Sequence, residues 1–143
     1  MLQQSTTDTD YVASFQAVSA KYLKPIQCEQ QCDAVVEWAS LFFKEKECFS
    51  NALNLSIVDG CDYVLGYVFL KDFKLAIEHA WNWDEQGHFD LTAQLFWEHD
   101  AQVEYFELLR LNATNAQLTF EKLGGVDQMA LRRSSEYRYL FGR

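Results

Sequence analysis

The stretch Leu75-Ala-Ile-Glu-His-Ala-Trp-Asn-Trp-Asp-Glu-Gln-Gly-His-Phe-Asp-Leu-Thr92 decides how this chain folds. Ile77, His79, Trp81 and Trp83 alternate with Ala76, Glu78, Ala80 and Asn82, the period of two that sends each set to its own face of a strand. Asp84-Glu-Gln-Gly87 is turn chemistry, and His88 to Thr92 is predicted to return as the second arm of a hairpin. An Asp84–Gly87 loop pairs Trp83 with His88 and Trp81 with Asp90. His79 is then a diagonal neighbour of Asp90 on one face, roughly 7–8 Å away along the backbone and within side-chain reach. A loop of odd length would send the two to opposite faces, so an even loop is the expectation that matters.

Outward from the hairpin, Tyr63 to Leu70 is a continuous β-prone run suited to a central strand, and Val103 to Leu111 reads as another. Asp8 or Asp10 caps a first helix through Tyr11, Phe15, Val18 and Tyr22, ended by Lys24-Pro25. A second helix is expected over 29–44, where Cys32, Val35, Val36, Ala39 and Phe43 repeat at helical spacing. Cys48 to Val58 is apolar on most sides, which predicts a helix buried in the interior, with Asp59-Gly60 as its stop. Asn112 to Thr114 offers caps for a helix to Leu123, and a last helix is expected from Asp127 to Leu140. The fold class is therefore α+β: N-terminal helices packed on a central antiparallel sheet, followed by C-terminal helices. Residues 1–9 are expected to be flexible, and 10–143 to form a single domain.

With 143 residues, 49% of them hydrophobic and 15% aromatic, the chain has the material for a real core. The net charge is −9 and unevenly spread. Eight acids and no Lys or Arg lie between Glu78 and Glu107, whereas Leu131 to Arg143 carries four arginines against Glu136. An acidic field repels phosphate backbones and favours a basic partner, which argues against direct nucleic-acid binding. No apolar run is long enough for a membrane span and no secretory leader is visible, so a cytoplasmic setting is expected. Four cysteines at irregular spacing do not make a disulfide framework.

Three polar residues suggest chemistry. Cys48 stands where the charged connector Lys44-Glu-Lys-Glu47 enters the apolar helix, so the helix N-terminus would favour its thiolate and its own backbone N–H would be open to an oxyanion. His79 would take and return the proton, desolvated by Ile77 and Trp81, and Asp90 would orient the imidazole. Asn51, one turn beyond Cys48, and Trp81 are possible pocket residues. His79, His88, Asp90, His99 and Cys48 are acceptable metal-ligand types, but their intervals lack the tight pairs of a zinc site, so neither metal nor cofactor is expected.

Cys48 at a helix start, His79-Ala-Trp81 on a strand and Gly87-His-Phe-Asp-Leu-Thr92 resemble the transglutaminase-like branch of the papain-like cysteine enzymes. The intervals between the three residues are similar to that family's, and Gly66-Tyr67-Val68 resembles the strand before its histidine. The resemblance covers residues 48–92, and Lys44 to Glu47 stand where the family has glycine or small residues. It implies a transglutaminase-like or papain-like core with Cys48, His79 and Asp90 as a catalytic triad. The implied reactions are those of proteases, amidases, deamidases and acyltransferases.

The expected function is thus a cysteine-dependent amide hydrolase or acyl transferase acting on a protein or peptide. The alternative is a non-enzymatic acidic protein that binds or inhibits a basic host factor, even as a degenerate form of the same fold.

Overall fold

Tyr63 to Phe69 are all buried, as a strand flanked on both edges and covered on both faces must be. In the computed structural model this strand is β2 (Asp62–Leu70), the centre of a five-stranded antiparallel sheet. The other strands are β1 (Lys24–Ile26), β3 (Leu75–Asp84), β4 (Gly87–Phe89) and β5 (Val103–Leu111), in the order β1-β5-β2-β3-β4. The helices are α1 (Leu2–Gln16), α2 (Asp33–Ala39), α3 (Cys48–Asp59), α4 (Leu91–Phe96), α5 (Ala113–Leu123) and α6 (Gln128–Arg133). The structure describes residues 2–98 and 102–142, residues 2–7 by their backbone alone. His99, Asp100 and Arg143 lie outside the described residues. The architecture is α+β, and no helix of the described chain is long and apolar enough to cross a membrane.

One face of the sheet carries Tyr63, Leu65, Tyr67 and Phe69, which pack with Val12 and Ala13 of α1, Ala52 and Leu53 of α3, Ala116 of α5 and Leu131 of α6. The other face carries Val64, Val68, Trp81 and Tyr105, with Ile26, Cys28, Ile77 and Trp97 against them. The alternation of β3 is as the sequence predicts: Ala76 and Ala80 face the helices, Ile77 and Trp81 the opposite side.

A register shift between Leu65 and Gly66 in the β2–β5 ladder lets two consecutive residues, Leu108 and Leu109, pack toward the helices. Tyr105 consequently shares a face with Trp81, although strict alternation along β5 would group it with Leu109 and Leu111. Gly66 sits at this shift and pairs with His79 across the ladder. A side chain there would meet the Phe106 carbonyl and the Trp81 ring, so only glycine lets the strands close.

Several elements depart from their sequence expectation, each for a local reason. The hairpin has the expected register, Trp83 opposite His88, but Asp84 pairs with Gly87 and the loop narrows to Glu85-Gln86. Its returning arm stops at Phe89, because the Asp90 side chain accepts the Ala93 N–H and starts α4. The second helix begins only at Asp33. Residue 28 instead bridges His88, so Cys28 and Cys32 do not share a helical face. The first helix starts at Leu2 and ends at Gln16, where Ala17 turns to φ 57° and Val18 bridges Phe141. The last helix breaks at Ser134, whose hydroxyl takes the Tyr137 N–H before a short 3-10 turn over Arg138–Leu140. Ile57 and Val58 of α3 are exposed, so that helix is buried on its Ala52–Leu53 side and not all round.

Candidate functional site

Because β4 ends opposite Asn82, residues Leu75–Trp81 of β3 have no strand on that edge among the described residues. α3 packs against β3, and the start of α4 reaches it through the contact of Asp90 with His79. Asn82 fixes the first of these contacts: its Nδ2 donates to the carbonyls of Ala52 at 2.9 Å and Asp62 at 3.1 Å. His79 sits in the uncovered part of β3, between the two helix starts.

Asp90 is both a helix cap and the partner of His79. Its Oδ1 accepts the Ala93 N–H at 3.1 Å, which caps α4, and its Oδ2 lies 2.8 Å from His79 Nε2. Both side chains are almost wholly buried. With Nε2 committed to Asp90, Nδ1 is the ring nitrogen left for the Cys48 thiol, which is close enough to interact electrostatically with the same ring. Burial is the largest single influence on His79 and opposes its protonation. The charge and hydrogen bond of Asp90, joined by those of Cys48, outweigh it and hold the pKa up at about 10. Rings enclose the imidazole: Trp97 at 4.8 Å, Trp81 stacked at 6.1 Å and Tyr105 at 6.4 Å between centroids.

Cys48 is the first residue of α3. The first intrahelical bond runs from Asn51 N–H to Glu47 C=O, so the amides of residues 48 to 50 precede it and keep the positive end of the helix at the thiol. Cys48 and His79 are both buried, Cys48 at 8% and His79 at 2% exposure. The three residues singled out in the sequence are thus brought together.

Asn51 and Trp81 are placed otherwise than as pocket walls. Asn51 is buried and accepts the Lys44 N–H at 3.1 Å while donating to the Lys44 carbonyl at 2.9 Å, which fixes the connector that delivers Cys48. Its Nδ2 also lies 3.1 Å from Thr92 Oγ1, tying the thiol's helix to the Asp90 helix. Gln94 repeats the device on the other side of α4, clasping the Gln31 peptide at 3.0 and 2.9 Å. Trp81 is 1% exposed and stands behind His79, its Nε1–H donating to His88 Nδ1 at 3.0 Å.

No protein-family model matches this chain, and neither a curated protein nor a solved structure matches it. The chemistry rests on the site alone.

That site holds residues the sequence did not single out. The Tyr105 hydroxyl donates to Asp90 Oδ2 at 2.6 Å, with the Cys28 thiol beside it. The β5 register shift hides Tyr105 from strand-parity reasoning. Burial, then the charges of Asp90 and Glu29, push the Cys28 thiol well above its ordinary range, so it stays protonated. Trp97 also goes unmarked, because the helix that places it replaces an expected strand.

A cavity of about 650 Å³ opens on the far side of Asp90, between the segment Pro25–Gln30, α4 and β5. Glu29, Asp90, Glu98 and Glu104 line it beside Trp97 and Tyr105, and neither Lys nor Arg is in its wall. Cys48 and His79 do not line it either. His88 lies near this side, 3.4 Å from Glu107. The contact is not an ion pair near neutrality: Nδ1 accepts the indole N–H, and burial, with Arg110 and Lys24, lowers the pKa to about 4.

Proposed function

We propose that this protein is a cysteine-dependent amide hydrolase or acyl transferase of transglutaminase-like or papain-like type, with Cys48 as nucleophile. The observation that carries the proposal is the buried His79–Asp90 pair with Cys48 against the same ring at the first position of a helix. An imidazolium and a helix N-terminus both stabilise a thiolate. The thiolate attacks the substrate carbonyl carbon and a C–S bond forms. The oxyanion takes N–H donors at the start of α3, and the proton on His79 passes to the leaving amine as the C–N bond breaks. Water or a second amine, deprotonated by His79, then cleaves the thioester and restores the thiol. Asp90 holds the ring and stays ionised throughout.

The acidic cavity wall supports a protein or peptide substrate with basic side chains. Four free thiols suit a reducing compartment, and a cytoplasmic setting is part of the proposal. The test is p-nitrophenyl acetate with a Cys32→Ser protein, which removes the exposed thiol as a competitor. A burst of nitrophenolate with the acetyl group mapped to Cys48, lost in His79→Gln, is expected. Acetyl spread over the remaining thiols, or unaffected by His79→Gln, would exclude the enzyme.

The acidic binder is the second reading, favoured by one observation: the carboxylate-lined cavity does not contain the thiol. Salt-sensitive capture of a basic peptide that is unchanged in Cys48→Ala, with no acetylation burst, is its signature.

A further inference from the structure

One oxygen of Asp90 serves two donors. Oδ2 accepts from the Tyr105 hydroxyl at 2.6 Å and faces His79 Nε2 at 2.8 Å, while Oδ1 is held by the Ala93 N–H. All three side chains are largely buried, which strengthens these bonds relative to exposed ones. The phenol is kept as a donor: burial, then the charge of Asp90, push its pKa far above the ordinary range. The Cys28 thiol is a neighbour of the same phenol.

We propose that Tyr105 is a positioning residue that sets, through Asp90 Oδ2, how firmly His79 holds its proton. Donation from the phenol draws negative charge out of Oδ2, and what it draws out is no longer offered to the imidazolium. It also fixes the second carboxylate oxygen, so that Asp90, capped at Oδ1, cannot rotate away from the ring. The second donor moderates the hold of the carboxylate on the imidazolium. The catalytic meaning rests on the thiol enzyme proposed above. The coupling between Tyr105 and His79 does not.

The experiment is a titration of the His79 ring by nitrogen-15 NMR, with the signal assigned by its loss in His79→Gln. Tyr105→Phe is expected to raise the His79 midpoint by at least about half a pH unit, a threefold gain in proton affinity. Because that variant strips a buried donor, a second protein carries a 3,5-difluorotyrosyl ring in place of the Tyr105 phenol. The fluorines make the hydroxyl a stronger donor with little change in shape, and the midpoint is expected to fall by a similar amount. Opposite shifts establish the coupling. An unchanged midpoint in the fluorinated protein, or shifts of one sign in both, overturns it. If the midpoints move as stated while Cys48 is never acylated, the enzyme falls and the coupling stands. If Cys48 is acylated and the midpoints stay fixed, only the role of Tyr105 falls.

Discussion

The side chain of Asn51 pairs with the peptide of Lys44 as a strand would, accepting its N–H at 3.1 Å and donating to its C=O at 2.9 Å. The connector it holds is strained, with Lys46 at φ 68°, and nothing in its sequence forms a side-chain cap for α3. The geometry at Cys48 therefore depends on a residue inside the helix that follows it.

Asn51→Ala removes both bonds to Lys44 and the bond to Thr92. We expect unfolding free energy to fall by about 2–3 kcal/mol, the range for losing a buried, multiply bonded amide. Thr92→Val, which breaks one of the three, should cost about 1 kcal/mol. Urea denaturation of both variants measures this, and equal losses would show that the Lys44 clasp contributes nothing.

Asp90→Asn keeps an oxygen for the Ala93 cap but removes the charge beside His79. The His79 midpoint should drop from about 10 by roughly 1–3 units, the usual effect of losing a close opposite charge. With it the reactivity of Cys48 toward p-nitrophenyl acetate near neutral pH should fall at least tenfold. Retained reactivity would mean that the thiol does not depend on this pair.

Buried His79 and partly buried His88 tilt stability in opposite directions. His79 titrates at about 10 folded against 6.5 unfolded, so its contribution is complete below pH 6.5 and is lost as pH rises toward 10. His88 titrates at about 4 folded against 6.5 unfolded, so its contribution is complete above pH 6.5 and is lost as pH falls toward 4. The urea midpoint should peak at about pH 6–7, and His79→Gln should flatten the alkaline limb. A midpoint that keeps climbing from pH 7 to pH 9 would contradict the raised value for His79.

Gly66→Ala puts a Cβ against the Phe106 carbonyl and 2.7 Å from the Trp81 ring carbon Cη2. Backbone cannot yield as a side chain does, so the β2–β5 ladder must open beside the residue paired with His79. A loss of at least about 3 kcal/mol is expected, or failure to fold, read by thermal melting and by the soluble fraction on expression. A variant within 1 kcal/mol of the parent would show that the strands part freely at the register shift.

Much of the fold was legible where periodicity and punctuation agreed. The β3 alternation, the apolar run of β2 and the Asn112 and Gly124 boundaries of α5 reappear in the structure, because each is dictated by local backbone preferences. The short β1 and the break at Ala17 were not, since each depends on a distant partner: β5 for Lys24–Ile26, and Phe141 for Val18. The α4 start and the Ser134 break rest on local side-chain bonds, Asp90 to Ala93 and Ser134 to Tyr137, that compete with the strand and the helix read from periodicity.

The sequence by itself determined the hairpin parity, and with it that His79 and Asp90 share a side, because strand periodicity is exact to one residue. It also determined that Cys48 begins a helix, since the charged connector and the apolar run meet there. Only the tertiary structure decided that the edge of β3 left open beyond β4 faces α3 and the start of α4. Only it slipped β5 by one residue and so brought Tyr105 to Asp90. Those outcomes are set by packing between segments far apart in the chain, which local propensity does not encode.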